Sequence, residues 1–503
     1  MRGVISREQI PTLCFFPPDQ AKIAIYMRVV ALFACLLVLG SFPCSTLASD
    51  MEADSPSGEQ VPPLQGPSSE TAVASQETPS KEASKSGRSY FRLYWKDGLI
   101  YDVGQRFETL EKEEISEAFK QVTLHGRIGG KLDLEGAVFI ERKGLRGFDN
   151  GVEVRRARIY TKGEFLLLVP ATFKVEFGIA GRQFVWNNFY LQFNRDKYVD
   201  YFGEHREKPY RNYIGLDNIQ LGIFRPSMGL EATGSAEDAT FLEYASSSDA
   251  FTPSDRFGIQ AAGSAWKKRL TWTLGVFSLT TDKDIGDASK SIGRAIGRVT
   301  LLPWLDERGD SPRFLHLGLS GSYVYSGTEE IRYKSGPESH LAPEVVDTGG
   351  IESKKAFLYG LEGALIYRAY SLQVEYLHSR VDDHLGNRLN FGGFYVYGSW
   401  VITGESRPYN RAMGTFGRIH PKENFSWKKG TWGAWEVGVR FSRIDLDDRP
   451  VRGGRMNILT GGLNWSLNPF VRVMFNYLRQ NISNAPEHDG LGHTFTLRLQ
   501  FYI

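Results

Sequence analysis

From Tyr90 to Ile503 apolar and polar residues alternate in segments of about 8 to 12, parted by Gly, Pro, Asn and Asp. The alternation is cleanest near the end of the chain. In 493–503, Phe495, Leu497, Leu499, Phe501 and Ile503 share one face, and Thr494, Thr496, Arg498, Gln500 and Tyr502 the other. In 470–480, Val471, Val473, Phe475 and Tyr477 oppose Arg472, Met474 and Asn476. In 432–443, Trp435, Val437, Val439 and Phe441 oppose Glu436, Gly438, Arg440 and Ser442, and 394–405 repeats the pattern around Phe394, Val396 and Trp400. Side chains along a strand point alternately to its two faces, so each segment is a strand with one apolar and one polar face.

Such strands can turn their apolar faces inward, as in a soluble sandwich, or outward to lipid around a polar interior. Three features select the membrane. The strands approach the roughly 9 to 11 residues that a tilted spanning strand needs. Trp400, Trp432, Trp435, Trp465, Phe470 and Tyr477 lie toward strand ends, where interfacial girdles form. The third feature is a leader. Met27-Arg28 precedes the apolar run Val29–Gly40, and Thr46-Leu47-Ala48 offers a small-residue cleavage site. This is the form of a secretory signal within 1–48, with Met27 a possible true start. Residues 49–87, rich in Ser, Glu, Pro, Ala and Gln, read as a disordered periplasmic linker. The fold class expected for 88–503 is all-β, a transmembrane antiparallel β-barrel that faces outer-membrane lipid. At about 25 residues per strand and connection it has roughly 16 strands, with the last pairing to the first. Glu108–Gln121 is the best local helix candidate.

Composition excludes several functions. The three cysteines, Cys14, Cys35 and Cys44, all fall in the leader region, so the barrel has no thiol for a disulfide, a metal-thiolate site or a nucleophile. The net charge of +2 is no basis for nucleic-acid binding. Removing 1–48 takes away four basic and two acidic residues and leaves 56 of each, so any ion preference depends on placement. No cofactor or metal is expected. His378 and His384 flank Asp382-Asp383 but read as a polar loop, and no hydrolase, zincin or phosphate-loop motif is present.

The basic residues are 38 Arg and 22 Lys. Arginine grips oxyanions through two parallel hydrogen bonds, and rings of Arg or Lys are how anion pores select. Arg440, Arg472 and Arg498 fall on polar strand faces. Lumen placement is their physical default, because a cation on the lipid face costs about 2–4 kcal/mol at midplane. The other reading is that they neutralise inward carboxylates such as Glu436. Arg155-Arg156-Ala157-Arg158 is the densest cluster. Strict alternation puts Arg155 on one face and Arg156 and Arg158 on the other, unless a bulge or the strand end accommodates them.

Several stretches resemble the phosphate-selective porin O/P family of Gram-negative outer membranes. They are KDGLIY (96–101), LHGRIGGKLDLEGAVF (124–139), VRRARIYTKG (154–163), GIFRPSMGLE (222–231), YVYGSWVITGESRPY (395–409), GTWGAWEVGVRFSRIDLDD (430–448) and GGLNWSLNPFVRVMFNYLR (461–479). Their order and spacing carry the resemblance from about Tyr90 to Ile503. It implies a 16-stranded homotrimer, inserted by the barrel assembly machinery, that passes small anions such as phosphate through an arginine-lined constriction. It places Arg155–Arg156 and Arg127 among the pore-lining arginines, and Arg332 and Lys334 on a further basic loop or strand end. There are two departures. Ala232 follows Gly229-Leu230-Glu231, where phosphate-selective members carry a lysine that helps form the central site, and the last residue is Ile503 rather than an aromatic. A general or cation-accepting porin, a structural outer-membrane barrel and a barrel enzyme with a spatially assembled Ser/His site are the alternatives.

Overall fold

The computed structural model describes residues 88–95, 99–106, 121–166, 170–180, 183–197, 215–279, 292–308, 311–325, 330–485 and 488–503. The leader, the linker and the helix candidate, apart from Gln121, lie outside them. The long strands are β1 (Arg88–Trp95), β2 (Leu99–Arg106), β3 (Gln121–Lys143), β4 (Gly151–Leu166), β5 (Pro170–Ala180), β6 (Gln183–Asn194), β7 (Leu216–Phe224), β8 (Arg256–Ala265), β9 (Leu270–Ser278), β10 (Ile292–Asp306) and β11 (Arg313–Tyr325). Three two-residue strands follow, β12 (Glu330–Ile331), β13 (Lys334–Ser335) and β14 (Val346–Asp347). Then come β15 (Ile351–Tyr367), β16 (Tyr370–Asp383), β17 (Arg388–Val401), the short β18 (Tyr409–Asn410) and β19 (Thr415–Phe416), β20 (Ala434–Asp448), β21 (Val451–Ser466), β22 (Val471–Ser483) and β23 (Gly490–Tyr502).

Sixteen of these close into an antiparallel barrel: β3 to β11, β15 to β17 and β20 to β23. The closing strand is not the first of the region, as the alternation suggested. β23 pairs with Lys131–Lys143 of β3. The preceding part of the same strand, Gln121–Ile128, pairs with β2, and β1 pairs with β2. The 23-residue β3 therefore serves two partners end to end, and β1–β2 is a hairpin continuing the wall.

The wall is inverted relative to a soluble protein. On β23, Thr494, Thr496, Arg498 and Gln500 are buried, while Leu497 is 54% exposed. On β16, Ser371, Gln373 and Glu375 are buried, and Tyr370, Leu372 and Val374 stand outward. An apolar exterior of this extent is stable only against hydrocarbon. Aromatic pairs mark one edge of that exterior. Tyr370 stacks on Trp400 at 5.9 Å and Trp435 on Trp465 at 5.0 Å, at the rim where Ile503 lies.

A polar interior of this size must be filled by partners or water. Three connections enter it. Staves alternate in direction, so 225–255 (after β7) and 332–350 (before β15) enter from one rim. Residues 402–433 (after β17) enter from the other, the Ile503 rim. The first of these carries two short helices, α1 (Leu230–Thr233) and α2 (Ser246–Phe251). Phe251 of α2 meets Tyr333 at 5.0 Å, and Tyr333 meets Phe391 of β17 at 5.9 Å, so an aromatic chain ties both upper segments to the wall.

Leu497→Arg should lower unfolding stability in vesicles by about 2–4 kcal/mol, because it buries a cation in hydrocarbon. Leu385→Arg, in the exposed β16–β17 turn, should cost close to nothing. Reversible urea unfolding measures both.

Candidate functional site: the charged lumen

The arginine cluster of β4 resolves through one irregularity. Asp133 of β3 pairs with Arg156, and the next residue, Leu134, pairs with Val154. Arg155 is the extra residue of a β-bulge, two residues facing one across the ladder. The bulge resets the alternation, so Arg155 and Arg156 both turn inward, as does Arg158. Arg155 clasps Glu243 of the 225–255 segment with two hydrogen bonds, Nε to Oε1 at 2.8 Å and Nη2 to Oε2 at 3.1 Å. Arg156 donates to Asp133 at 2.9 Å and lies 3.8 Å from Glu243. Arg158 donates to Glu176 of β5 at 3.0 Å.

Arg440, Arg472 and Arg498 face inward, as the polar strand faces predicted, but the 225–255 segment covers them. Arg440 pairs with Glu231 at 3.1 Å and with Glu338 of the 332–350 segment, and its guanidinium lies 4.5 Å from the Phe241 ring centre. Arg498 binds Glu135 at 2.9 Å, Glu243 and the Leu242 carbonyl. Arg472 has no carboxylate within ion-pair distance among the described residues. It donates to the carbonyls of Glu237 (2.7 Å) and Ala239 (3.0 Å). These three hold the segment against β20–β23. Arg155, Arg156 and Arg498 face Asp133, Glu135 and Glu243, a neutral set of three and three.

The β3–β5 wall differs. Arg127 lies directly opposite Lys162 of β4, and Lys162 opposite Lys174 of β5. Lys131 and Arg158 sit beside them, again as cross-strand partners. Lys131, Lys162 and Lys174 each stand 5.6–5.8 Å from the Tyr160 ring centre. Among the described residues two carboxylates answer these five cations. Glu176 meets Lys131, Lys174 and Arg158, and Glu237 meets Lys131. Lys162 makes no ion pair among the described residues. Arg158 and Lys174 keep 25% and 19% of their side-chain surface accessible, where Arg440 keeps none.

Arg332 and Lys334 lie in exposed ion pairs at the mouth, with Asp347 (2.8 Å) and Glu344 (2.7 Å). The hydrogen bonds from Arg332 hold the Asp347 carboxyl below its usual range. The alternation left out several inward residues. Arg298 chelates Glu362 at 2.9 and 2.7 Å and holds the carbonyls of Met413 and Gly414, which fixes the 402–433 segment. Arg407 reaches Glu436 at 2.6 Å and the Asp238 carbonyl, and Arg418 reaches Gln500 and the Glu237 carbonyl. Arg298 and Arg418 stand at polar positions between apolar ones, but nothing local distinguishes them from solvated arginines. The acidic partners Glu231, Glu243 and Glu338 come from loops, where period two gives no orientation. His378 meets Tyr376 at 3.2 Å and His384 meets Glu352, at separate places. Among the described residues no cluster of His, Cys, Asp and Glu could hold a metal ion.

A closed sixteen-stave barrel with an apolar exterior and a charged lumen narrowed by inward segments is an outer-membrane channel. The family model described as "Phosphate-selective porin O and P" matches residues 127–503, three quarters of the chain, and the chain belongs to that family. Porin O of Pseudomonas aeruginosa is 26% identical over 329 residues, 58% of this chain and 72% of that protein. An uncharacterised protein of Caulobacter vibrioides is 27% identical over 368 residues, 69% of this chain and 67% of that one. Among solved structures, the anion-selective porin from Comamonas acidovorans superposes with a TM-score of 0.44 at 10% identity, covering 76% of this chain and all of that one. The outer-membrane channel DcaP of Acinetobacter baumannii gives 0.45 at 9%, covering 78% and 99%.

Removing one partner of a buried ion pair costs about 3–5 kcal/mol, because the other charge is left uncompensated. Glu243→Gln should cost an amount of that order in unfolding free energy. It should also raise the conductance and open-state noise of single channels as the segment loosens, measured in planar bilayers.

Proposed function

We propose that the chain is a porin through which small anions, phosphate or polyphosphate among them, diffuse passively along the β3–β5 wall. The row Arg127–Lys162–Lys174 carries this reading. Like charges directly opposite on neighbouring strands are destabilising. The repulsion is larger in the low effective dielectric of a narrow lumen than in bulk water. An anion passing between them relieves that repulsion, and excess positive charge at a narrow wall raises the local concentration of anions. Arg158, whose side chain remains partly accessible, extends the basic track, and Arg155, paired with Glu243, lies where it meets the inward segment. No step of bond chemistry is needed; the residues attract, desolvate and release. A homotrimer is the assembly implied by the family resemblance, and chemical cross-linking of the purified protein tests it.

One observation favours a general or cation-accepting porin. At the level of Arg440 the carboxylates Glu231 and Glu338 share one guanidinium, Glu375 lies beside them accepting from the Glu231 backbone N–H, and buried Ala232 follows Glu231 where a lysine would add a cation. The reversal potential in a tenfold KCl gradient decides between the two. The proposal expects chloride preference, reduced several-fold in Arg127→Gln/Lys162→Gln/Lys174→Gln; cation preference in the unmodified protein overturns it. Arg155→Ala with Arg156→Ala should lower anion conductance, and an unchanged value removes that pair from the track.

A further inference from the structure

On the lipid-facing wall, at the Ile503 rim, two guanidiniums flank one tyrosine. Arg313 of β11 stands opposite Tyr367 of β15, its guanidinium carbon 5.0 Å from the ring centre. Arg368, in the β15–β16 turn, lies 5.9 Å from the same ring. Neither makes an ion pair among the described residues: Asp306 of β10 stands opposite Arg313 across the ladder, but its carboxylate accepts from Arg308, and Nε of Arg313 is buried with no hydrogen-bond partner.

Directly beside it runs an apolar groove of about 400 Å³, lined by Leu365, Tyr367, Tyr370, Leu372, Trp400 and Val437. Gly398 also lines it. A Cβ built on that glycine has Ser371 O, at 3.9 Å, as its nearest neighbour, so the space above it is open. The groove continues the lipid-facing exterior, and its headward end is the aromatic rim formed by Tyr370 and Trp400. Cations in excess of carboxylates at such a rim are matched by lipid phosphates, and an open trough below them suits a methylene chain.

We propose that Arg313 and Arg368 hold the phosphate of one bound phospholipid, with an acyl chain seated in the groove over Gly398. The seat lies outside the lumen and does not depend on which ions the channel prefers. Charge complementarity and continuity with the lipid-facing wall select a lipid over a second copy of the chain, because Arg308, Arg313 and Arg368 outnumber the one carboxylate beside them, Asp306, which Arg308 already holds.

Native mass spectrometry of the full chain, purified in detergent with 1-palmitoyl-2-oleoyl phosphatidylglycerol added, tests the seat. The unmodified protein should retain one phosphatidylglycerol per barrel under activation that strips other lipids. Arg313→Gln/Arg368→Gln should lower the retained fraction at least five-fold, and so should Gly398→Leu, which fills the groove. Single-channel conductance equal to that of the unmodified protein verifies that each variant is folded. Should the double variant not fold, Arg368→Gln alone, at an exposed turn, reports with an expected loss of at least two-fold. Unchanged retention in the folded variants overturns the proposal. So does a fall in oligomeric mass by light scattering in Gly398→Leu with lipid retention intact, since the groove would then seat another copy of the chain.

Discussion

Glu243 stands where guanidiniums from β4 and β23 converge, and the lumen is organised around that meeting. A barrel of sixteen staves encloses more space than its own side chains can fill. The wall turns charged and amide groups into that space, and an unpaired group there is costly. Segment 225–255 answers the wall residue by residue. Glu231 reaches Arg440, Glu243 reaches Arg155 and Arg498, and the carbonyls of Glu237 to Ala239 meet Arg407, Arg418 and Arg472. Each bond fixes a loop backbone that has no regular ladder to hold it.

The arginines thereby divide into two populations. Those of β20–β23 are consumed in holding the segment and lie beyond the reach of a passing ion. Arg127 and Arg158 of the β3–β5 wall, with Lys131, Lys162 and Lys174 beside them, face partners too few to neutralise them, and Arg158 and Lys174 keep part of their surface accessible. The same residue type on the same kind of inward position serves as an anchor on one side of the lumen and as a charged wall on the other. The side on which the segment lies determines which role each takes. A formally neutral chain can in this way present a locally basic track.

Period two in the sequence was enough to assign the inverted wall. The faces of β17, β20, β22 and β23 are as the alternation had them, because side-chain direction along a strand is geometric. The bulge at Arg155 was legible only as a conflict, three arginines in four residues that strict alternation could not place together. The role of Arg440, Arg472 and Arg498 was not legible. Alternation gives direction but not what lies on the far side, and Glu231, Glu243 and Glu338 sit in loops whose course follows from closure of the whole barrel. The open cation row was hidden for a similar reason. Arg127, Lys162 and Lys174 are scattered in sequence and become neighbours only through strand register.

The two-partner strand β3 has a consequence for how the cylinder closes. At the seam, Ile503 exchanges backbone hydrogen bonds with Gly130, at 2.9 and 3.1 Å, and its carbonyl also accepts from the Tyr160 hydroxyl. The β2 ladder ends at Ile128, two residues along the same edge. The hairpin thus works as a mechanical stop. β23 cannot slide further toward it without running into paired backbone, and a one-residue slip would turn every polar side chain of β23 toward hydrocarbon. The register at the seam, one of the sixteen that together set the shear of the barrel, is therefore bounded by a hairpin that is not itself a stave.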